Sequence, residues 1–219
     1  VSANADVWAV VPVKDTTNAK YRLREALSKK LRRHLALDML EDVLAALAAS
    51  PGLAGSIVVT EDVAAMTLAV MYHADIASEG ARDGQTGAIV AAARRLAREG
   101  KGAMLTIPGD VPLVTPEEIG RIIAAHDRSP DFVIVPAHDE RGSNAILCSP
   151  PDAVPLKFGD DSFLPHLDAA RRAGIEPKIL HLPRLGLDID NPADLAAFMK
   201  IPSNTHARAY LERMNFGHG

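Results

Sequence analysis

Four clusters in this chain combine charge with turn residues in a way that suits chemistry on phosphates. Lys14, Lys20, Arg22 and Arg24 put four cations within eleven residues, directly after an apolar run from Val7 to Val13. Such density suits a clamp on a triphosphate, and it equally suits a solvated basic loop. No Gly-x-x-x-x-Gly-Lys-Ser/Thr stands there, which excludes a P-loop. Pro108-Gly109-Asp110-Val111-Pro112 places a carboxylate after the apolar segment Ala103 to Ile107, although an isolated Asp in such a turn commonly only shapes it. In Leu187-Asp188-Ile189-Asp190-Asn191-Pro192 two aspartates stand two apart, so in extended backbone both face one side, about 7 Å from each other. Carboxylates without His or Cys at zinc spacing point to Mg²⁺, a hard ion that takes its remaining ligands from water and substrate phosphates. A last cluster joins Arg141-Gly142-Ser143-Asn144 to Lys157-Phe158-Gly159-Asp160-Asp161-Ser162-Phe163, the latter opening a helix. Free N–H groups and a hydroxyl at that terminus suit a small phosphate or carboxylate. Asp160 and Asp161 oppose an anion there, and the favoured reading makes them helix caps. His166, alone on that helix, reads as a packing or surface residue.

The elements that position these residues follow from periodicity. Val7–Val13 is almost continuously apolar, as in a parallel strand buried on both faces. Helical spacing runs from Ser28 to Ala49 and stops at Ser50-Pro51-Gly52. Strands are expected at 57–60, 75–78, 103–107, 132–135, 145–148 and 179–182, and helices at 63–72, 88–99, 163–173 and 192–198, the last capped by Asn191. Thr115-Pro116-Glu117-Glu118 is a strong helix start, with Thr as N-cap, Pro first in the helix and Glu three residues after the cap. Alternating strands and helices mean crossover units, hence a mostly parallel sheet in an α/β domain. In such sheets ligands bind beyond the carboxyl ends of the strands, where the first three clusters fall. Residues 1–200 read as one domain, with a less regular stretch at about 137–185 inserted beside the sheet. Residues 201–219 form a tail with a short helix around Tyr210, Leu211 and Met214.

Composition narrows the function classes. With 219 residues, 47% hydrophobic and 24% charged, the chain has ordinary globular proportions, which excludes disorder, collagen and coiled coil. Aromatics at 4% and a net charge of −4 argue against a nucleic-acid partner, which would call for stacking platforms and a basic surface. Cys148, the single cysteine, sits among Ala145, Ile146 and Leu147 and reads as a buried strand residue in a reducing context. No apolar run approaches the roughly 18 residues of a membrane helix, and Val1 to Asp6 carries no export signal, so a soluble cytoplasmic protein is expected. A homodimer is left open.

In order and spacing, Val11-Pro12-Val13-Lys14, Ala19-Lys20-x-Arg22-Leu23, Pro108-Gly109-Asp110-Val111-Pro112-Leu113, Gly142-Ser143-Asn144-Ala145, Phe158-Gly159-x-x-Ser162-Phe163-x-x-His166 and Leu187-Asp188-Ile189-Asp190-x-Pro192 together resemble the 2-phospho-L-lactate guanylyltransferase family of coenzyme F-420 biosynthesis. The likeness runs from about residue 7 to 198. It implies a Rossmann-like three-layer α/β/α sandwich of the nucleotide-diphospho-sugar transferase type, as in molybdenum-cofactor guanylyltransferases. It also implies GTP as co-substrate with Mg²⁺, and transfer of GMP to the phosphate of 2-phospho-L-lactate, phosphoenolpyruvate or 3-phospho-D-glycerate. By the resemblance Asp110, Asp188 and Asp190 hold metal, and Ser143, Gly159 and Ser162 hold the acceptor's phosphate or carboxylate. Pro12, Val13, Lys14, Lys20 and Arg22 fall on the nucleotide loop, with Lys14, Lys20, Arg22 and Asp110 as the catalytic set. Glu79 and Gly84 fall on the loop that reads the base in related nucleotidyltransferases. Here Gly84-Gln85-Thr86 replaces the family's usual Gly-Leu-Asn, and Tyr21 replaces a frequent Ser. A phosphate monoester is already anionic near neutral pH, so no catalytic His is needed. Two alternatives remain: a nucleotidyltransferase for a molybdopterin or phosphosugar, and a non-catalytic nucleotide-binding module.

Overall fold

The computed structural model describes residues 6–214 and 216; residues 1–5, where no export signal was expected, lie outside them. Among the described residues seven strands form one sheet in the order β3-β2-β1-β4-β6-β5-β7. They are β1 (Val7–Pro12), β2 (Leu53–Val59), β3 (Asp75–Ala77), β4 (Ala103–Thr106), β5 (Asp131–Pro136), β6 (Ser143–Ser149) and β7 (Lys178–Ile179). Every pairing is parallel except those of β6, which runs antiparallel between β4 and β5. Part of the stretch expected beside the sheet is therefore in its middle, and all seven residues of β6 are buried. Cys148 lies there fully buried, as expected, with desolvation pushing its thiol up to about 11.

Successive strand residues point to opposite faces and so feed two apolar layers. Val11, Val58 and Leu105 pack toward α1 (Lys29–Ala48), α2 (Val63–Met71) and α4 (Pro116–Ala125). Val10, Ile57 and Met104 pack toward α3 (Gly84–Arg98) and α5 (Phe163–Arg172). This is the expected three-layer sandwich. β2 and α3 each begin four residues before the expected positions, and β7 is shorter than expected. Gly84 at the start of α3 has φ +74°, a left-handed conformation that a side chain would strain. It marks a helix start that apolar periodicity, beginning at Ala88, could not show.

A third apolar cluster lies beneath the loops at the carboxyl end of the sheet. Leu23 of the cationic loop and Ile189 between the paired aspartates are fully buried there. They share it with Leu195 and Phe198 of α6 (Pro192–Lys200) and with Tyr210 and Leu211 of α7 (His206–Arg213). Asp42 of α1 anchors α7, accepting from the His206 and Ala207 backbone N–H groups at 2.7 and 3.0 Å. The tail helix thus supports both charged loops from behind, a role its sequence did not disclose.

Candidate active site

A cleft of about 1100 Å³ opens over the carboxyl ends of β1 and β4, larger than the pockets that hold one drug-sized ligand. Its lining includes Lys14, Lys20 and Arg22 of the cationic loop, Asp110, Asp188 and Asp190, and the serine wall of Ser143, Gly159 and Ser162. Pro12, Val13 and Gly84 also line it. The structure thus brings together every residue that the resemblance assigns to the site except Glu79, while Arg24, Lys157, Asp161 and His166 do not line the cleft. Glu79 is 72% exposed, lies outside the lining and has its carboxylate 3.9 Å from Arg98.

Lys20 has left-handed backbone, φ 51° and ψ 44°, rare for a residue with a Cβ. Its ammonium, 9% exposed, donates to Asp110 at 2.6 Å and to Asp190 at 2.8 Å. Burial alone would lower its pKa, but the charges of Asp110 and Asp190 prevail and hold it up at about 12. The residue read as a phosphate clamp is therefore committed to the carboxylates in this structure. Arg22 stands 3.6 Å from Asp190 and 3.4 Å from Asp160. Burial works to raise the Asp190 carboxyl, and Lys20 and Arg22 outweigh it, leaving Asp190 below the usual carboxylate range. Asp188 goes the other way: burial and the neighbouring charge of Asp110 push it up, against a hydrogen bond from Asn144.

Among the described residues no three His, Cys, Asp or Glu side chains meet closely enough to enclose an ion by themselves. The donor set nevertheless fits a divalent ion held by one or two carboxylates and substrate oxygens, the usual arrangement for Mg²⁺. Two observations support the fit: a cation, Lys20, already bridges Asp110 and Asp190, and Asp188 lacks a cationic partner for its mutual repulsion with Asp110.

Asp160 and Asp161 do not cap α5, a correction to the favoured reading. Asp160 faces Arg22, and Asp161 accepts from Arg141 at 2.7 Å. The N-cap of α5 is Ser162, whose side chain makes no capping bond. Glu118 stands in the first turn of α4, three residues after its cap, as expected, but its carboxylate turns elsewhere. Thr115 does cap that helix, but the Glu118 carboxylate accepts from the Arg184 and Leu185 N–H groups at 3.1 and 2.8 Å. It pins the turn just before Asp188.

Several supports were not legible in sequence. Arg32, three residues into α1, is buried and donates to the Ala19 and Leu27 carbonyls, bracing the cationic loop from both sides. Asp62 caps α2 and also accepts from the Thr16 N–H and hydroxyl at 2.9 and 2.6 Å. Asn144 donates to the Leu185 and Gly186 carbonyls and to Asp188, fixing that carboxylate's direction. Asp194 accepts from the Asp190 and Asn191 N–H groups, completing a capping box with Asn191 that turns the chain out of the cleft. Thr86 accepts from the Phe158 N–H at 3.0 Å and so ties α3 to the loop carrying Gly159. The partners of Asp62, Asn144 and Thr86 are far away in the chain, so no local pattern signals them; Arg32 and Asp194 act locally, beside the foreseen cap Asn191 in the second case.

Comparison with known proteins shows the family and the fold. The model of the family described as "Guanylyl transferase CofC like" matches residues 7–218. The chain is 38% identical over 191 residues to a phosphoenolpyruvate guanylyltransferase of Rubrobacter xylanophilus, covering 87% of this chain and 92% of that one. It is 33% identical to a 2-phospho-L-lactate guanylyltransferase of Methanothermobacter thermautotrophicus, covering 95% and 91%. It is also 33% identical to a 3-phospho-D-glycerate guanylyltransferase of Colwellia psychrerythraea, covering 85% and 88%. The fold matches that of a protein from Desulfovibrio desulfuricans G20 described as a nucleotide-diphospho-sugar transferase, with TM-score 0.77, 19% identity and 96% of each chain covered. A family match that takes in both charged loops, the serine wall and the supporting tail helix means that the chain belongs to the guanylyl transferase CofC like family.

Proposed function

We propose that this protein transfers GMP from GTP to the phosphate of a small phosphorylated carboxylic acid, releasing pyrophosphate, and that the reaction serves coenzyme F-420 biosynthesis. The acceptor belongs to the set acted on by the named relatives: phosphoenolpyruvate, 2-phospho-L-lactate or 3-phospho-D-glycerate. The observation that carries this reading is that two unlike clusters line one cleft. Lys20 meets Asp110 and Asp190 in one, and the other groups Ser143, Gly159 and Ser162 with Arg141 and Asp160, which Arg22 faces at 3.4 Å. The pair of clusters suits a triphosphate beside a second, smaller anion.

The chemistry asks little proton transfer of the protein. The acceptor's phosphate is ionised near pH 7 and can attack the α-phosphorus of GTP directly, so positioning and charge stabilisation carry the rate. Lys14 and Arg22 line the nucleotide side with charge for the β- and γ-phosphates. Asp110, Asp188 and Asp190 would hold a divalent ion, which supplies neutralisation of phosphate charge when bound. Asn144 and Asp194 keep the carboxylate-bearing segment in place. The hydroxyl of Ser143 and the backbone at Gly159 and Ser162 receive the acceptor.

The test is pyrophosphate release by the purified protein with GTP and Mg²⁺ against the three acceptors and a blank without acceptor, with mass detection of the guanylylated product. Release with one acceptor is expected. GTP binding without release in any arm would overturn the reading in favour of another acceptor or a nucleotide sensor.

A further inference from the structure

Behind the serine wall lies a histidine that does not itself line the cleft. His166 of α5 is 1% exposed. Both of its ring nitrogens have partners of unlike kind. Nε2 stands 3.1 Å from the backbone nitrogen of Lys157, and Nδ1 stands 2.9 Å from Oγ of Ser143. A backbone N–H can only donate, so Nε2 must be the bare, accepting nitrogen. The ring's proton is then on Nδ1 and is donated to Ser143. An imidazolium would set N–H against N–H at Lys157, and burial independently drives the ring's pKa down to about 4.

The consequence falls on Ser143. A hydroxyl has two lone pairs and one proton. Its lone pairs face His166 and the Ser162 hydroxyl, which donates at 3.4 Å. Its own proton is left over, and Ser143 borders the cleft. We propose that His166 is a positioning residue for the acceptor: by its fixed Nδ1–H form it makes Ser143 an obligate donor toward an anionic oxygen of the phosphorylated acid. A free serine rotor would as readily present a lone pair to that anion. The fixed rotor removes the repulsive orientation before the acceptor arrives, and accepting from His166 strengthens the bond Ser143 donates. Phe158, packed edge-on against the imidazole at 4.9 Å between centroids, keeps the ring from turning. This inference rests on the guanylyl-transfer reading for the identity of the anion.

Two conservative variants separate the ring nitrogens. In H166Q the amide reaches the Nε2 position and can still accept from Lys157, but nothing donates to Ser143. In H166N the amide N–H stands near the Nδ1 position and can donate to Ser143. Initial rates with GTP and the productive acceptor should show the acceptor KM raised about tenfold or more in H166Q, the cost of one misdirected bond to an anion, with the KM for GTP unchanged. H166N should recover most of the loss. Introduced into an S143A background, H166Q should change the acceptor KM less than about twofold, because the residue acts through that serine. Independent, multiplying effects of H166Q and S143A would overturn the proposal, as would H166N failing like H166Q or a parallel rise in the KM for GTP. A readout on the wild type needs no turnover: the ¹⁵N shifts of the His166 ring should report the neutral Nδ1–H form from pH 5.5 to 8. An Nε2–H form, or a ring protonated at pH 6, overturns the proposal whether or not guanylyl transfer is found.

Discussion

Replacing Lys20 by methionine keeps a long apolar stem and removes the ammonium that stands between Asp110 and Asp190. A unit charge pair near 4 Å is worth about 4 kcal/mol at an effective dielectric of 20, and Lys20 makes two such contacts, at 2.6 and 2.8 Å. Desolvating the ammonium costs several kcal/mol in return, and the carboxylates, 29% and 41% exposed, are partly screened by water. The net loss of stability in K20M is about 1–2 kcal/mol, or a Tm lower by about 2–8 °C for a chain of this length. The pH behaviour follows from the sign of the shift. Lys20 is held up at about 12 from 10.5, so its stabilisation is complete below 10.5 and is lost as pH rises through about 12. Asp190 is held below 3.8, so its share is present above that value and fades as pH falls through the lowered pKa. Between pH 6 and 9 the penalty of K20M is therefore constant. Without the ammonium, Asp110 and Asp190 are left with Arg22 alone, 3.6 Å from Asp190, and a divalent ion can replace the lost charge. Thermal unfolding with and without millimolar Mg²⁺, in the absence of nucleotide, should show the variant gaining more from Mg²⁺ than the wild type. A wild-type Tm in K20M, or equal Mg²⁺ stabilisation of both proteins, would refute the bridging role.

Other expected outcomes follow from the same geometry. Asp110→Asn should lower guanylyl transfer by about 10³-fold or more, in keeping with loss of several kcal/mol of charge stabilisation, while its circular dichroism stays that of the wild type; unchanged turnover contradicts the metal role. Asp38 on α1 has one buried carboxylate oxygen without a partner, and burial raises its pKa to about 6. Its neutral form suits the fold, so its contribution is full below 3.8 and lost as pH rises through about 6. Asp38→Asn should then raise stability at pH 7.5 by about 1 kcal/mol after allowance for solvent screening, and by little at pH 4.5; a gain that does not grow with pH counts against this account. A Cβ at Gly159 would meet nothing within 4 Å, so Gly159→Ala should leave Tm within about 2 °C of wild type. The same change should raise the acceptor KM more than that of GTP, and the opposite split in steady-state kinetics would remove Gly159 from the acceptor wall.

Much of the fold was legible because its signals are local. The apolar run Val7–Val13, the helical spacing of α1 and the start Thr115-Pro116 each constrain a few consecutive residues, and alternating elements then require crossovers and a parallel sheet. The paired aspartates were legible for the same reason. Leu187 and Ile189 are buried and the aspartates between and after them turn the other way, as a period of two demands. The antiparallel insertion of β6 was not legible, since its continuous apolar run fits either direction. Nor was the duty of Glu118, whose spacing from Thr115 suits a local cap while its carboxylate serves residues 184 and 185.

The amino-acid sequence by itself determined the α/β class, the clusters that meet in one cleft and the family to which they point. These depend on residue type and short spacing, and short-range sterics and burial enforce them. The tertiary structure decided which charges pair. Lys20 bridges Asp110 and Asp190 from 90 and 170 residues away, Asp160 and Asp161 turn to arginines, and His166 meets Ser143 from 23 residues along the chain. Glu79, by contrast, stays outside the cleft. Electrostatic and hydrogen-bond partners are set by through-space distance and burial, and neither quantity exists until the sheet has brought its loops together.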